Sequence, residues 1–273
     1  MYSVKILKDS LSTAGARLTT WELTYPRFVH AELMTHRLFS RNAASSRAIP
    51  VEKLIQRIET DPALPVWWGK NQAGMQAREA LSPGAKEHAM ARWLSARDEM
   101  LTAAKDLAEI GLHKQIANRL LEPWMFITVI MSATEHTNWF KLRCHPDAQP
   151  ELKWVADEMQ KQYEAYKPKW VANGDWHLPL TGFDGDEELD LQRLKQVSTA
   201  RCARVSYLTH DGKRDVQKDI ELHDQLATSG HWSPFEHVAV ACEKLERHGN
   251  FIGWRQYRKF FSDEHAGGPL RGE

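Results

Sequence analysis

Thirteen residues, Thr35–Arg47 (THRLFSRNAASSR), gather His36, Arg37, Ser40, Arg41, Asn42, Ser45, Ser46 and Arg47 without a single acid. Hydroxyls, an amide and unopposed guanidinium groups suit an anionic, phosphate-bearing ligand, because a guanidinium grips phosphate in a two-pronged fork. A solvated basic loop is the alternative reading of the same residues. A second polar group, Asn138 to Arg143 (NWFKLR), sets an amide and a guanidinium five positions apart. That is more than one helical turn, so the two can reach different parts of one ligand; a helix C-terminal cation is the structural alternative for Arg143. His231, Glu236 and His237 (GHWSPFEH, 230–237) invite a metal reading. Their spacing is not that of a helical zinc motif, and Pro234 interrupts any helix, so no metal site is assigned. Cys144 is either a thiol activated by neighbouring Arg143 or a structural cysteine at a helix end.

The chain that must position these groups has 273 residues, enough for one large domain with a sizeable core. It carries 36 Lys+Arg and 36 Asp+Glu, a net charge of zero, which argues against a general nucleic-acid or membrane-surface binder. Three cysteines without a CxxC suggest neither a disulfide framework nor a zinc knuckle. Residues 1–14 are too polar for a signal peptide and the apolar run 124–133 is too short to span a bilayer. A cytoplasmic protein is expected.

Strands are predicted at Ser3–Leu7 and Leu18–Thr24, with Pro26 marking a strand end, then a short helix over Phe28–Met34. Helical spacing continues in Val51–Thr60 and Ala85–Ile110, separated by an irregular stretch, 61–84. Trp124–Arg143 and Glu151–Tyr166 are further expected helices. The acidic 184–190 (DGDEELD) is the expected boundary before a C-terminal segment. There 193–207 is helix or strand, 215–228 helix and 237–243 strand, and 266–273 is expected to fray. The class is α+β (α/β), a mixed sheet packed with a long helical segment.

Several of these blocks together resemble the flavin-dependent thymidylate synthases. That family's signature is Arg-His-Arg, seven residues, then Ser; here it stands as Thr35-His36-Arg37, Leu38–Ala44, then Ser45, with Arg47 in phase. Asn138–Arg143 followed by Ala148-Gln149 and Glu151 is similar to its second signature. Arg119 and Pro123 resemble its Arg-x-x-Leu-Pro element, with Glu122 in place of Leu. Ala203–Tyr207 (ARVSY) and 230–237 resemble blocks that open the family's chain, but here they close it. Residues 251–259 (FIGWRQYRK) are similar to the strand that leads into the triplet, as a weak echo of Phe28–Glu32. The resemblance therefore implies a thymidylate synthase-complementing-protein-like fold in circularly permuted order. It is one domain of strands plus signature loop (1–50), helical insertion (51–112), nucleotide and flavin segment (113–185) and C-terminal segment (191–273).

The resemblance further implies transfer of a one-carbon unit from methylenetetrahydrofolate to C5 of a pyrimidine deoxynucleotide, dUMP to dTMP first. FAD would be the cofactor, NADPH the reductant and a homotetramer the assembly. It assigns Arg143 and Ser45 to catalysis. Glu32, Ser45, Ser46, Arg47, Arg119, Arg143 and Gln256 would bind substrate, and His36, Arg37, Asn42, Asn138, His231 and Ser233 would bind flavin. Departures from the family pattern are Thr35 for the first Arg of the triplet, Glu32 for Gln, Ala43 for an acid, and Thr134 for Arg. Arg258 or Lys259 would then replace the missing cation. Glu32 keeps open a dCMP-directed or hydroxymethylating enzyme, since a carboxylate accepts from an exocyclic amine. The lost contacts keep open a non-catalytic nucleotide-binding protein.

Overall fold

The computed structural model describes residues 1–206, 215–262 and 264. Strands β1 (Ser3–Ser12) and β2 (Arg17–Pro26) form an antiparallel hairpin, whose turn uses Gly15 at φ 90°, a conformation open to glycine. β4 (Phe126–Ala133) pairs antiparallel with β2, β3 (Ser40–Ala43) covers the free edge of β4, and β5 (Lys169–Val171) lies parallel to β1. The order is β3-β4-β2-β1-β5.

Side chains alternate across this sheet. On one face Trp21, Leu23, Tyr25, Val129 and Met131 pack against Trp139 of α5 (Thr137–Arg143) and Val155 and Met159 of α6 (Pro150–Ala165). On the opposite face Ile130 meets Cys202 and Val205, at and just beyond the end of α7 (Leu191–Ala203). α1 (His30–Met34) precedes β3. α2 (Val51–Thr60), α3 (Pro83–Glu109) and α4 (Lys114–Ala117) pack with residues 118–124 around Leu54, Ile58, Leu101, Ala104 and Leu121. The helical stretch thus has a core of its own.

The C-terminal segment adds α8 (Val216–Thr228) and a sheet in the order β10 (Trp254–Gln256), β7 (Ala239–Ala241), β6 (Trp176–His177), with a small ribbon of β8 (Arg247–His248) and β9 (Phe251–Ile252). It meets the main sheet through a buried polar seam. His177 bridges Ser10 Oγ and Thr20 Oγ1, each at 2.8 Å. Thr20 Oγ1 lies 2.6 Å from Ser132 Oγ, which meets His237 Nδ1 at 2.9 Å. Burial keeps both rings neutral, with His237 pushed down to about 3 and His177 well below its ordinary value. This network ties sheet to sheet in one register, with His237 Nε2 left buried without a partner at its end.

The main correction concerns Trp124–Arg143, expected as one helix. Phe126–Ala133 is a nearly fully buried central strand, rich in β-branched Ile127, Thr128, Val129 and Ile130, and only Thr137–Arg143 is helical. The two copies of the Phe-x-x-x echo also differ in shape. Phe28 lies in a 3-10 turn leading into α1, whereas Phe251 is in β9. Residues 61–84 are mostly irregular but contain a Gly69–Ala80 bridge. In the acidic stretch, Asp186 is buried and paired with Arg201, tying it to α7. Tyr207 and 266–273 lie outside the described residues.

Candidate active site

The signature loop is built from the end of α1 and from β3. Arg41 turns back and donates to the carbonyls of Met34 and His36, both at 3.0 Å, satisfying helix-end acceptors. Ser40 and Asn42, on one side of β3 by strand alternation, are held by the C-terminal segment. Asn42 Nδ2 donates to the Cys202 carbonyl at 2.9 Å, and its Oδ1 accepts from Ser233 Oγ at 3.2 Å. Gln256 is buried and donates through Nε2 to Ser40 Oγ at 3.0 Å and to Asn250 Oδ1 at 2.9 Å.

The two signatures meet at Arg143. Its Nε donates to His36 Nε2 at 3.0 Å across 107 residues of sequence, and its NH2 lies 3.4 Å from the Glu32 carbonyl and from Thr35 Oγ1. His36, Arg37, Asn138 and Arg143 together line a cavity of ≈ 200 Å³ with Phe39, Trp139 and Glu135 among its walls. Burial, then Arg143 and Arg41, push the His36 imidazole down to about 4, so the ring is neutral near pH 7. Burial raises the Glu32 carboxyl, Arg143 opposing and Glu151 adding to the shift; among the described residues its Oε2 is buried without a partner.

The remaining predicted residues fall into separate groups. Ser46 Oγ and Arg119 NH1 both donate to Glu122 Oε1, at 3.0 and 2.7 Å, and Arg27 Nε lies 3.7 Å from Glu122 Oε2. The acid standing where the family has Leu therefore neutralises the expected phosphate cation, a role the sequence did not reveal. Ser45 and Arg47 are exposed beside this cluster. His231 is exposed, with Nδ1 3.4 Å from Ser229 Oγ. Arg258 and Lys259, offered in place of the cation missing at Thr35, are ion-paired, Arg258 with Glu236 and Glu264 and Lys259 with Glu264. Thr134, in place of another Arg, accepts from the Ile252 amide at 3.1 Å. Burial first and then Asp157 push the Cys144 thiol up to about 11, opposite to the shift that activation by Arg143 would require. Phe39 and Trp139 lie inside the two motifs and Glu135 just before the second, yet nothing in their spacing marks them as cavity lining.

A larger cavity of ≈ 840 Å³ lies between residues 65–78 and the turn into α6, with Trp67, Gln76, Gln149, Glu151 and Trp154 in its lining. Glu151 is buried and anchors it, accepting from the Val66 amide at 2.9 Å and from Gln149 Nε2 at 2.7 Å. Glu151→Ala leaves that amide unpaired and is expected to cost about 1–3 kcal/mol. A lowered urea midpoint and faster proteolytic cleavage within 65–81 would register it, and an unchanged cleavage pattern would contradict the anchoring.

The sequence model of the thymidylate synthase complementing protein family, Thy1, matches residues 11–169, more than half of the chain. The chain belongs to this family. The Thy1 match spans both signatures and the helical stretch between them, while residues 191–273 lie beyond it. Two crystal structures of the UMP/dUMP methylase PolB from Streptomyces cacaoi, bound with 5-Br UMP and with 5-Br dUMP, share the fold. Each is 16% identical with a TM-score of 0.51, covering 60% of this chain and 89% or 90% of PolB. No curated protein matches the chain. Among the described residues no helix is long and apolar enough to cross a membrane.

Proposed function

We propose that this Thy1 protein transfers a one-carbon unit from methylenetetrahydrofolate to C5 of a pyrimidine deoxynucleotide, converting dUMP to dTMP with FAD as cofactor and NADPH as reductant. The observation that carries the reading is the junction of Arg143 with His36, Arg37 and Asn138 in one cavity. These donors suit a carbonyl-rich or anionic ring. At ≈ 200 Å³ the cavity accepts a single ring, the pyrimidine on Arg143, and the cofactor would lie beside it over the exposed Arg37, His231 and Ser233.

In this reading Arg143 binds the pyrimidine and favours its N3-deprotonated form, because an adjacent cation stabilises the anion. Ser45, Ser46, Arg47 and Arg119 bind ribose and phosphate, the ligand phosphate competing with Glu122 for Arg119. Asn42, Asn138, His231 and Ser233 hold the cofactor, with Glu32 and Gln256 bordering the substrate side. When bound, the reduced flavin supplies the hydride that, with the transferred methylene, makes the methyl group, while C5 loses its proton. Residues 191–273 supply the blocks that open the chain elsewhere in the family, a permuted order supported by their bonds to Ser40 and Asn42. A homotetramer is the proposed assembly.

Glu32 favours one second reading. Its lone buried oxygen, beside Arg143, would accept from the exocyclic amine of dCMP. The test is the visible spectrum after loading with FAD and removing the excess, followed by turnover with dUMP and dCMP. Flavin bands at roughly 370 and 450 nm with dUMP turnover support the first reading. Turnover with dCMP alone selects the second, and a colourless protein that binds nucleotide overturns both.

A further inference from the structure

The triplet residue that is Arg in the family is Thr35 here, and the place beside it is taken by Arg143 from α5. The Thr35 hydroxyl donates to the Glu32 carbonyl at 2.6 Å, so its oxygen lone pairs are left for Arg143 NH2 at 3.4 Å. The contact with His36 has a stricter consequence. Arg Nε–H only donates, so His36 Nε2 must carry its lone pair, and the ring is the neutral Nδ1–H tautomer. Trp139, edge-on with ring centroids 4.7 Å apart, and Phe39, stacked at 5.7 Å, fix the plane of the imidazole.

We propose that His36 is a positioning residue: as the Nδ1–H tautomer it aims the Arg143 guanidinium at the pyrimidine, with the Thr35 hydroxyl as a second acceptor. The proposal rests on the nucleotide role given to Arg143 above. The charged groups around the ring are Arg143 from α5 and Arg41 from β3, with Arg37 and Glu135 in the cavity wall. Burial, then Arg143 and Arg41, hold the imidazole down to about 4. The pair therefore stays intact through neutral and mildly acid solution. It breaks as pH falls through about 4, when a proton takes the lone pair that Arg143 uses.

Long-range ¹⁵N NMR of histidine-labelled protein tests this without reference to turnover, the His36 signals being assigned by their loss in His36→Gln. The expected result is a protonated Nδ1, a bare Nε2 and no titration between about pH 5 and 8. A protonated Nε2, or a ring that charges in that range, overturns the proposal. A kinetic comparison adds a second readout. His36→Gln, whose amide oxygen can accept from Arg143, should keep dUMP turnover within roughly tenfold, and His36→Leu should lose about 10²-fold as the guanidinium is misaimed. Equal losses in the Gln and Leu variants, with both folded by circular dichroism, would overturn it. A wild-type protein inactive on dUMP with the expected tautomer would defeat the assigned reaction and leave the His36–Arg143 geometry standing.

Discussion

Arg143→Ala is expected to lower kcat/KM for dUMP by on the order of 10³-fold while FAD stays bound. The guanidinium joins the two signature segments by hydrogen bonds to His36, Thr35 and the Glu32 carbonyl. Its removal takes away the cation proposed to stabilise the N3-deprotonated pyrimidine. It also releases His36 from its fixed hydrogen bond. In the proposed reading other residues hold the cofactor, so the visible flavin spectrum should be retained, and a retained spectrum separates loss of chemistry from loss of fold. Full activity in this variant would remove the central assignment. Arg143→Lys is expected to recover only a small part of the loss, because an ammonium cannot reproduce the forked donor geometry.

The largest expected effect on stability comes from Arg201. In α7 this residue is about 1% exposed and sits between two buried carboxylates. NH1 contacts Asp186 Oδ2 at 2.7 Å, NH2 contacts Asp186 Oδ1 at 2.8 Å, and Nε contacts Asp219 Oδ2 at 3.0 Å. Arg201→Met keeps much of the volume and leaves both acids without this partner, at an expected cost of roughly 3–5 kcal/mol.

The pH dependence distinguishes this mechanism from simple loss of packing. In the native protein burial alone would raise the Asp186 carboxyl, but Arg201 and the backbone amides of Phe183 and Gly182 hold it below its ordinary value. Its contribution is present above the unfolded value, about 3.9, and disappears as pH falls through the lower folded value. Asp219 remains raised because burial outweighs Arg201 and Arg204, so it opposes folding as pH rises through its folded value. In the variant burial acts on both acids without Arg201, and both folded values should rise. The penalty should then be largest near neutrality and shrink in mild acid, where the acids are protonated. Urea denaturation at several pH values reads this directly, and a penalty independent of pH would contradict the electrostatic account.

Much of this fold is legible in the sequence where one period dominates. The apolar spacing of Val51–Thr60 and of the stretch that became α3 gives helices at nearly the observed bounds, and Pro26 ends β2. Phe126–Ala133 misleads because a strand buried on both faces shows no alternation, and its continuous apolar run runs on into the helix that follows. Ser10, Thr20 and Ser132 read as ordinary polar positions until the sheets are brought together, since their partners His177 and His237 lie more than a hundred residues away.

The candidate site shows the same division. Local spacing marked His36, Arg37, Asn138 and Arg143, which the fold gathers around one cavity. It offered no means of seeing that Asn42, Ser40 and Gln256 are bonded to one another's segments, or that Glu122 occupies Arg119. The bonds of Asn42, Ser40 and Gln256 are long-range pairings that neither composition nor periodicity encodes, whereas Arg119 and Glu122 pair locally, three residues apart.

The most direct test of the proposed reaction follows the C5 proton. Methyl transfer to C5 must release that hydrogen, so dUMP tritiated at C5 is incubated with the FAD-loaded protein, methylenetetrahydrofolate and NADPH. The account predicts tritium appearing in water together with dTMP, dependent on the folate and NADPH and lost in Arg143→Ala. Protein that holds both flavin and dUMP yet leaves the tritium on C5 would contradict it.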